Sequence, residues 1–234
     1  MKTSIWFPVA ALAAASAAAL FGTFSVSAET ATPIPPPAIQ EAAATAASEK
    51  VVLAGGCFWG VQGVFQHVAG VSKVVSGYSG GGKDTAQYSR VEDGDTGHAE
   101  SVEITYDPHK ITYGKLLQIY FSVAHDPTEL DRQGPDSGPQ YRSAIFVQND
   151  EQKKVAAAYV GQLDKSGVFP HRIETKLEPF KGFYPAEAYH QDFLTRNPSY
   201  PYIAINDLPK VHHLATLFPE LYQDKPVLVN AATD

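Results

Sequence analysis

The chain has 234 residues, 44% of them hydrophobic, with 18 lysines and arginines against 25 acidic side chains and a formal charge of −7. That apolar content excludes a disordered chain, the length suits one domain with appendages or two small domains, and the acidic balance gives nucleic acid no electrostatic foothold. A single cysteine, Cys57, excludes an internal disulfide and leaves a metal site only non-thiolate partners.

The first 28 residues follow the pattern of a secretory signal peptide: Lys2, an apolar run over 5–24, and Val26-Ser27-Ala28 as a small-residue cleavage site before Glu29. This predicts an exported, periplasmic protein. The alternative is an uncleaved membrane anchor, since a run of 20 residues approaches the length of a bilayer span; Pro8, Ser16 and Gly22 weigh against it. Met1 is the single methionine, so the cleaved chain would lack this oxidation-prone side chain altogether. Residues 29–48, Ala-rich with Pro33, Pro35, Pro36 and Pro37, read as a semi-extended linker. The folded domain is expected over 49–225, with a tail at 226–234.

Within the domain, 51–54 predicts a buried strand, Gly55-Gly56 a tight turn, and 58–68 a helix with Phe58, Val61, Phe65 and Val68 on its apolar face. A strand is expected over 71–78. Another runs over 98–106, where Val102, Ile104 and Tyr106 alternate with Ser101, Glu103 and Thr105. The stripe of Tyr113, Leu116, Leu117, Tyr120, Phe121 and Ala124 predicts a helix over 112–124, ended by Asp126-Pro127. A strand over 141–148, a helix over 150–166 stopped by Gly167, and a strand over 173–177 follow. Beyond 178 the chain is rich in Pro and Tyr, with a short helix near 209–218. The order of elements predicts an α+β fold, a two-layer sandwich with a ferredoxin-like split βαβ core and an extended C-terminal wrap. Two long Gly/Asp/Pro-rich stretches, 79–97 and 125–140, are expected to be either functional or disordered loops, placed to converge on the Cys57 end of the sheet.

Cys57 falls at the predicted N-terminus of the first helix, where unpaired amides and the helix dipole favour an anion. That placement predicts a thiol with a lowered pKa and a nucleophilic thiolate; its other reading is a buried structural cysteine. Glu100 shares strand parity with Val102, Ile104 and Tyr106, so it points to the apolar face. A carboxyl group there loses hydration and stays protonated, able to donate a proton; a local bulge would instead leave it exposed. Tyr141 is expected to share parity with Ser143, Ile145 and Val147, and Tyr88 lies in the first long loop. Phenol hydroxyls donate hydrogen bonds without adding charge, although most tyrosines are packing residues. Phe58 and Trp59 would wall an apolar pocket beside the thiol, or pack the first helical turn.

Two other patterns carry less. Residues 77–83 fit the first seven positions of a Walker A loop, but Asp84 replaces the magnesium-binding Ser/Thr. The pair His212-His213 lacks metal-ligand spacing. A cysteine hydrolase using His98, His125 or His190 as base, and a non-catalytic binding module, are the rival classes.

Together the motifs resemble the A-type peptide methionine sulfoxide reductases. The resemblance rests on Gly-Cys-Phe-Trp-Gly at 56–60, Gly-Tyr-Ser-Gly-Gly at 77–81 and Gly-Asp-Thr-Gly-His-Ala-Glu at 94–100. It continues with His-Asp-Pro-Thr at 125–128, Gln-Tyr-Arg-Ser at 140–143 and Tyr-His-Gln-Asp at 189–192. It implies that Cys57 attacks the sulfoxide sulfur and becomes a sulfenic acid. Glu100 would protonate the oxygen with help from Tyr88 and Tyr141, Phe58 and Trp59 would hold the methyl group, and Asp136 would position the substrate. Free methionine S-sulfoxide or oxidised proteins are the implied substrates. No cofactor is implied, and a monomer is expected. Many relatives carry resolving cysteines near the C-terminus; residues 214–234 contain none, and position 92 is Glu where some relatives have Cys. A thioredoxin-like or glutaredoxin-like protein or a small thiol must then regenerate the enzyme.

Overall fold

The structure, a computed structural model, describes residues 30–42 and 45–229. The signal segment, its cleavage site and most of the expected tail past 229 lie outside the described residues. In chain order the elements are β1 (Glu49–Gly55), α1 (Phe58–Gln66), β2 (Val71–Ser79), α2 (Tyr88–Val91), β3 (Ala99–Tyr106), α3 (Tyr113–Ile119), β4 (Arg132–Gln133) and β5 (Asp136–Ser137). They continue with β6 (Ser143–Val147), α4 (Asp150–Ser166), β7 (Lys176–Pro179), β8 (Phe183–Pro185), α5 (Phe193–Arg196) and α6 (Leu208–Leu217).

Six strands form one sheet in the order β7-β6-β1-β3-β2-β8. β3 is antiparallel to both β1 and β2, so β1 and β2 run parallel with β3 between them and α1 as their crossover. β1 in turn lies antiparallel between β3 and β6, a second split unit closed by α3. This is the ferredoxin-like core, extended by β7 parallel to β6 and by β8 antiparallel to β2.

The alternation in β3 turns Glu100, Val102, Ile104 and Tyr106 toward the helices. Val102, Ile104 and Tyr106 pack there with Val51, Leu53, Val74 and Ile145 of neighbouring strands and with Phe65, Leu116 and Leu117 of α1 and α3. The other face carries Val52, Ala54, Ala99, Ala144 and Phe146, partly covered by Phe180 and Phe183. α4 stops at Gly167 as expected, and Asn149 caps its start. The Asn149 side chain accepts from the Gln152 amide at 2.8 Å, and Gly167 ends the helix at φ 63°.

Several boundaries depart from the local pattern. The expected helix over 112–124 is α3 followed by a π-helical turn, Tyr120–Ala124. All five residues of that turn are buried, so no single apolar stripe describes them. The strand expected from 141 begins at Ser143; Pro139–Tyr141 form a 3₁₀ turn after Gly138 at φ 134°. Pro139 has no amide to give a ladder, and Tyr141 therefore does not belong to the strand alternation. The strand expected over 173–177 forms later, as β7.

Part of the segment read as a linker is docked on the domain. The Thr32 amide donates to the Ser122 carbonyl at 2.9 Å, Gln118 donates to the Ile34 carbonyl at 2.8 Å, and the Tyr159 hydroxyl donates to the Pro35 carbonyl at 2.7 Å. Prolines preset the backbone and leave their carbonyls open as acceptors, and Ile34 buries its side chain in the core.

Candidate active site

β1 delivers the chain to the turn Gly55-Gly56, and Cys57 is the N-cap residue of α1, with φ −54° and ψ 122°. Gly56 stands at φ 84°, where a Cβ would lie 2.5 Å from the Gln133 side chain, so a larger residue is excluded twice over.

Glu100 faces Tyr78 across the β3–β2 pair and is 4% exposed. Its Oε2 accepts the Phe58 amide at 3.0 Å, which ties the carboxyl to the residue after Cys57. Burial pushes its pKa up to about 8 against the lowering effect of that hydrogen bond, with the Asp136 and Asp207 charges adding to the rise. The carboxyl is thus mostly protonated at neutral pH.

Cys57 is partly exposed. The expectation of a lowered thiol pKa does not hold. Burial pushes the thiol well up, the Glu100 carboxyl (once ionised) and the Asp207 and Asp136 charges push further, and the Trp59 amide is the lowering influence. The positive end of α1 is there, but carboxyl groups share it.

One cavity of ≈ 180 Å³ is lined by Cys57, Phe58, Trp59, Tyr88, Glu100, Asp136, Tyr141 and Tyr202. All seven candidates from the sequence meet in it, and Tyr202 is the residue the sequence reading missed. The Tyr202 hydroxyl donates to Asp136, so a tail residue anchors an acid of the second long loop. Only its place in the Tyr-rich run after 178 marked it. Burial pushes the Tyr88 hydroxyl up to about 12 and those of Tyr141 and Tyr202 further up, which keeps all three as donors.

The walls are held from behind by the C-terminal wrap. Trp59 stacks on Phe193 with ring centroids 3.9 Å apart, and its Nε1 donates to His190 Nδ1 at 3.1 Å. Glu187 accepts from the Tyr88 amide at 3.0 Å and the Tyr78 hydroxyl at 2.9 Å. Arg142 is a buried fork. It donates to the carbonyls of Gly97, His98 and Pro139 and to both oxygens of Glu178, so it clamps the loop leading to Glu100 against the turn that carries Tyr141.

None of the rival bases lines the cavity. His125 is engaged by Ser143 Oγ at 2.7 Å and the Tyr120 carbonyl at 3.0 Å, and burial lowers its pKa to about 3. His98 contacts the Gly82 carbonyl and Gly81 amide, and His190 holds Trp59. The Walker-like stretch is divided between β2 and an exposed turn at Lys83–Thr85. Three larger clefts, of ≈ 310, ≈ 370 and ≈ 250 Å³, contain none of the seven candidates that meet in the cavity, and the last is lined by His125. Among the described residues no group of His, Cys, Asp and Glu is arranged to hold a metal ion.

A family model described as peptide methionine sulfoxide reductase matches residues 49–220. The peptide methionine sulfoxide reductase MsrA 2 of Mesorhizobium japonicum is 67% identical over 187 residues, covering 80% of this chain and 96% of that protein. The protein of the same name from Synechocystis is 54% identical over 178 residues, covering 76% and 81%. Among solved structures, reduced Mxr1 from Saccharomyces cerevisiae aligns with a TM-score of 0.59 at 34% identity, covering 68% of this chain and 91% of that one. Methionine sulfoxide reductase A of Corynebacterium diphtheriae gives 0.55 at 30% identity, covering 74% and 90%. With the family model spanning the whole core and its cavity, the chain belongs to the peptide methionine sulfoxide reductase family, in its A type, as a single-cysteine member.

Proposed function

We propose that the protein reduces methionine S-sulfoxide, free or within proteins, to methionine through a sulfenic acid on Cys57. The observation that carries this reading is the meeting of the lone thiol and a buried, protonated carboxyl in one small aromatic cavity. A cavity of about 150 Å³ holds a benzene-sized group, so ≈ 180 Å³ suits the methyl-sulfinyl end of a side chain and little more.

Phe58 and Trp59 take the methyl group. The sulfoxide oxygen receives hydrogen bonds from Tyr88 and Tyr141 and a proton from Glu100, which turns a poor electrophile into a reactive one. Cys57 is protonated at rest, so its proton leaves as the partly positive sulfoxide sulfur arrives. That proton refills Glu100. The Cys57 sulfur donates an electron pair to the substrate sulfur and forms a transient S–S bond as the protonated oxygen leaves the substrate. That oxygen then bonds to the Cys57 sulfur as S–OH while the S–S bond breaks and its electron pair stays on the substrate sulfur, now a thioether. The substrate sulfur is reduced by two electrons and the cysteine sulfur is oxidised by two, with no cofactor.

With no second cysteine in the chain, an outside thiol attacks the sulfenic acid, releases water and forms a mixed disulfide. A second thiol then frees Cys57. A thioredoxin-like or glutaredoxin-like protein or a small thiol fits this role. We further place the protein in the periplasm as a monomer, with residues 1–28 removed; the N-terminal pattern supports the export, and sequencing the exported chain tests the cleavage.

The decisive experiment supplies S-sulfoxide to reduced protein without reductant. One methionine per chain and a mass gain of one oxygen on Cys57 are expected, and Cys57→Ser should give none. Two methionines per chain would refute the single-thiol scheme.

A further inference from the structure

Asp207 lies outside the cavity yet against the machinery. It closes a π-helical turn, Ile203–Asp207, that follows Tyr202 directly. Turns of this width are rare and are frequent at functional sites. The side chain is 0% exposed, and Lys210 Nζ, itself buried, stands 3.9 Å from its Oδ1.

The place it occupies is informative. A Cβ built on Gly60 would sit 2.2 Å from Asp207 Oδ1, so the carboxylate rests on the third residue of α1, in the turn that Cys57 caps. The first amides of a helix have no partner within it and form its positive end. Glu100 takes the Phe58 amide at that end, and Asp207 presses its charge on the next residues. Gly60 has no side chain where one would push Asp207 away.

We propose that Asp207, balanced by Lys210, is a positioning residue that keeps the positive end of α1 from ionising Cys57 prematurely and holds Glu100 as a proton donor. The electrostatics run in the same direction: the Asp207 charge raises both the Glu100 carboxyl and the Cys57 thiol. The other groups facing this cluster are Asp136 and Tyr202 from the cavity wall, with His125 close enough to feel Lys210. Tyr202 also feels Asp207. The inference rests on the acid role given to Glu100 above.

The test is Asp207→Asn, nearly isosteric and uncharged, beside Asp207→Asn/Lys210→Gln, which leaves neither charge buried alone. Two readouts are taken across pH: alkylation of Cys57 without substrate, and methionine released in a single turnover. Removing the negative charge should speed alkylation at neutral pH about tenfold, the change in thiolate for a shift of about one pH unit. It should also move the alkaline loss of single-turnover rate to lower pH, because Glu100 then gives up its proton sooner. Tightened packing alone would move neither midpoint. Unchanged midpoints in a folded variant overturn the proposal. A double variant that fails to fold overturns it as well, by assigning the pair to stability. Alkylation needs no sulfoxide, so this arm still reads Asp207 if the reductase reading itself fails.

Discussion

Replacing Glu100 by Gln separates what a buried acid does for chemistry from what it does to stability. Gln keeps the shape, and its side-chain oxygen can still accept the Phe58 amide, which now lies 3.0 Å from Glu100 Oε2. In the folded protein the carboxyl titrates at about 8 instead of the usual 4.5. The folded state therefore holds the proton more tightly than the unfolded chain. Its contribution is fully present below pH 4.5 and is lost as pH rises through the folded value of about 8. The loss is about 1.4 kcal/mol per pH unit, or about 3 kcal/mol between pH 4.5 and neutrality. Gln has no such proton, so Glu100→Gln should gain about 3 kcal/mol over the wild type on going from pH 4.5 to neutral pH. Urea unfolding at several pH values measures this. The single-turnover rate should meanwhile fall by about 10²–10⁴, the usual weight of a positioned acid. A stability difference that does not change with pH would refute the reasoning, because the wild-type carboxyl would then be ionised in the fold.

Three further outcomes are expected. His125 is buried and neutral, with its pKa lowered from 6.5 to about 3. Its contribution is complete above pH 6.5 and is lost on acidification. His125→Gln should therefore show a flatter decline of the urea midpoint below pH 6 than the wild type, and parallel curves would contradict this. Arg142→Ala leaves the carbonyls of Gly97, His98 and Pro139 and the Glu178 carboxylate without their common donor. A loss of about 3–5 kcal/mol in urea unfolding should follow, as for other broken buried pairs. Arg142→Lys should recover little of it, because an ammonium cannot make the fork. A chain starting at residue 46 removes the docked N-terminal segment with Ile34 and its backbone bonds. It should unfold about 2–4 kcal/mol more easily, from lost burial and hydrogen bonds, while single-turnover chemistry stays unchanged.

What the sequence by itself determined is what short-range periodicity and chemistry encode. The split βαβ order, the stop of α4 at Gly167, and the parity that buries Glu100 follow from residues within a few positions of one another. The family resemblance implied site roles for Cys57, Phe58, Trp59, Tyr88, Glu100, Asp136 and Tyr141, and the fold brings them to one cavity. Tertiary structure alone decided the rest. Local alternation carried Tyr141 into a strand, whereas Pro139 and Gly138 hold it in a turn at the cavity. A helix N-terminus read alone favours a thiolate at Cys57. The opposite sign comes from the burial of Cys57 and from Glu100 and Asp207, which are distant in sequence and packed on the same helical turn. Tyr202 reaches the site through Asp136, 66 positions away, and the Pro-rich arm gains its role from donors on α3 and α4 that its own composition does not reveal. Fields and hydrogen bonds depend on distance in space, and spacing along the chain reports that distance only within a strand or a helix.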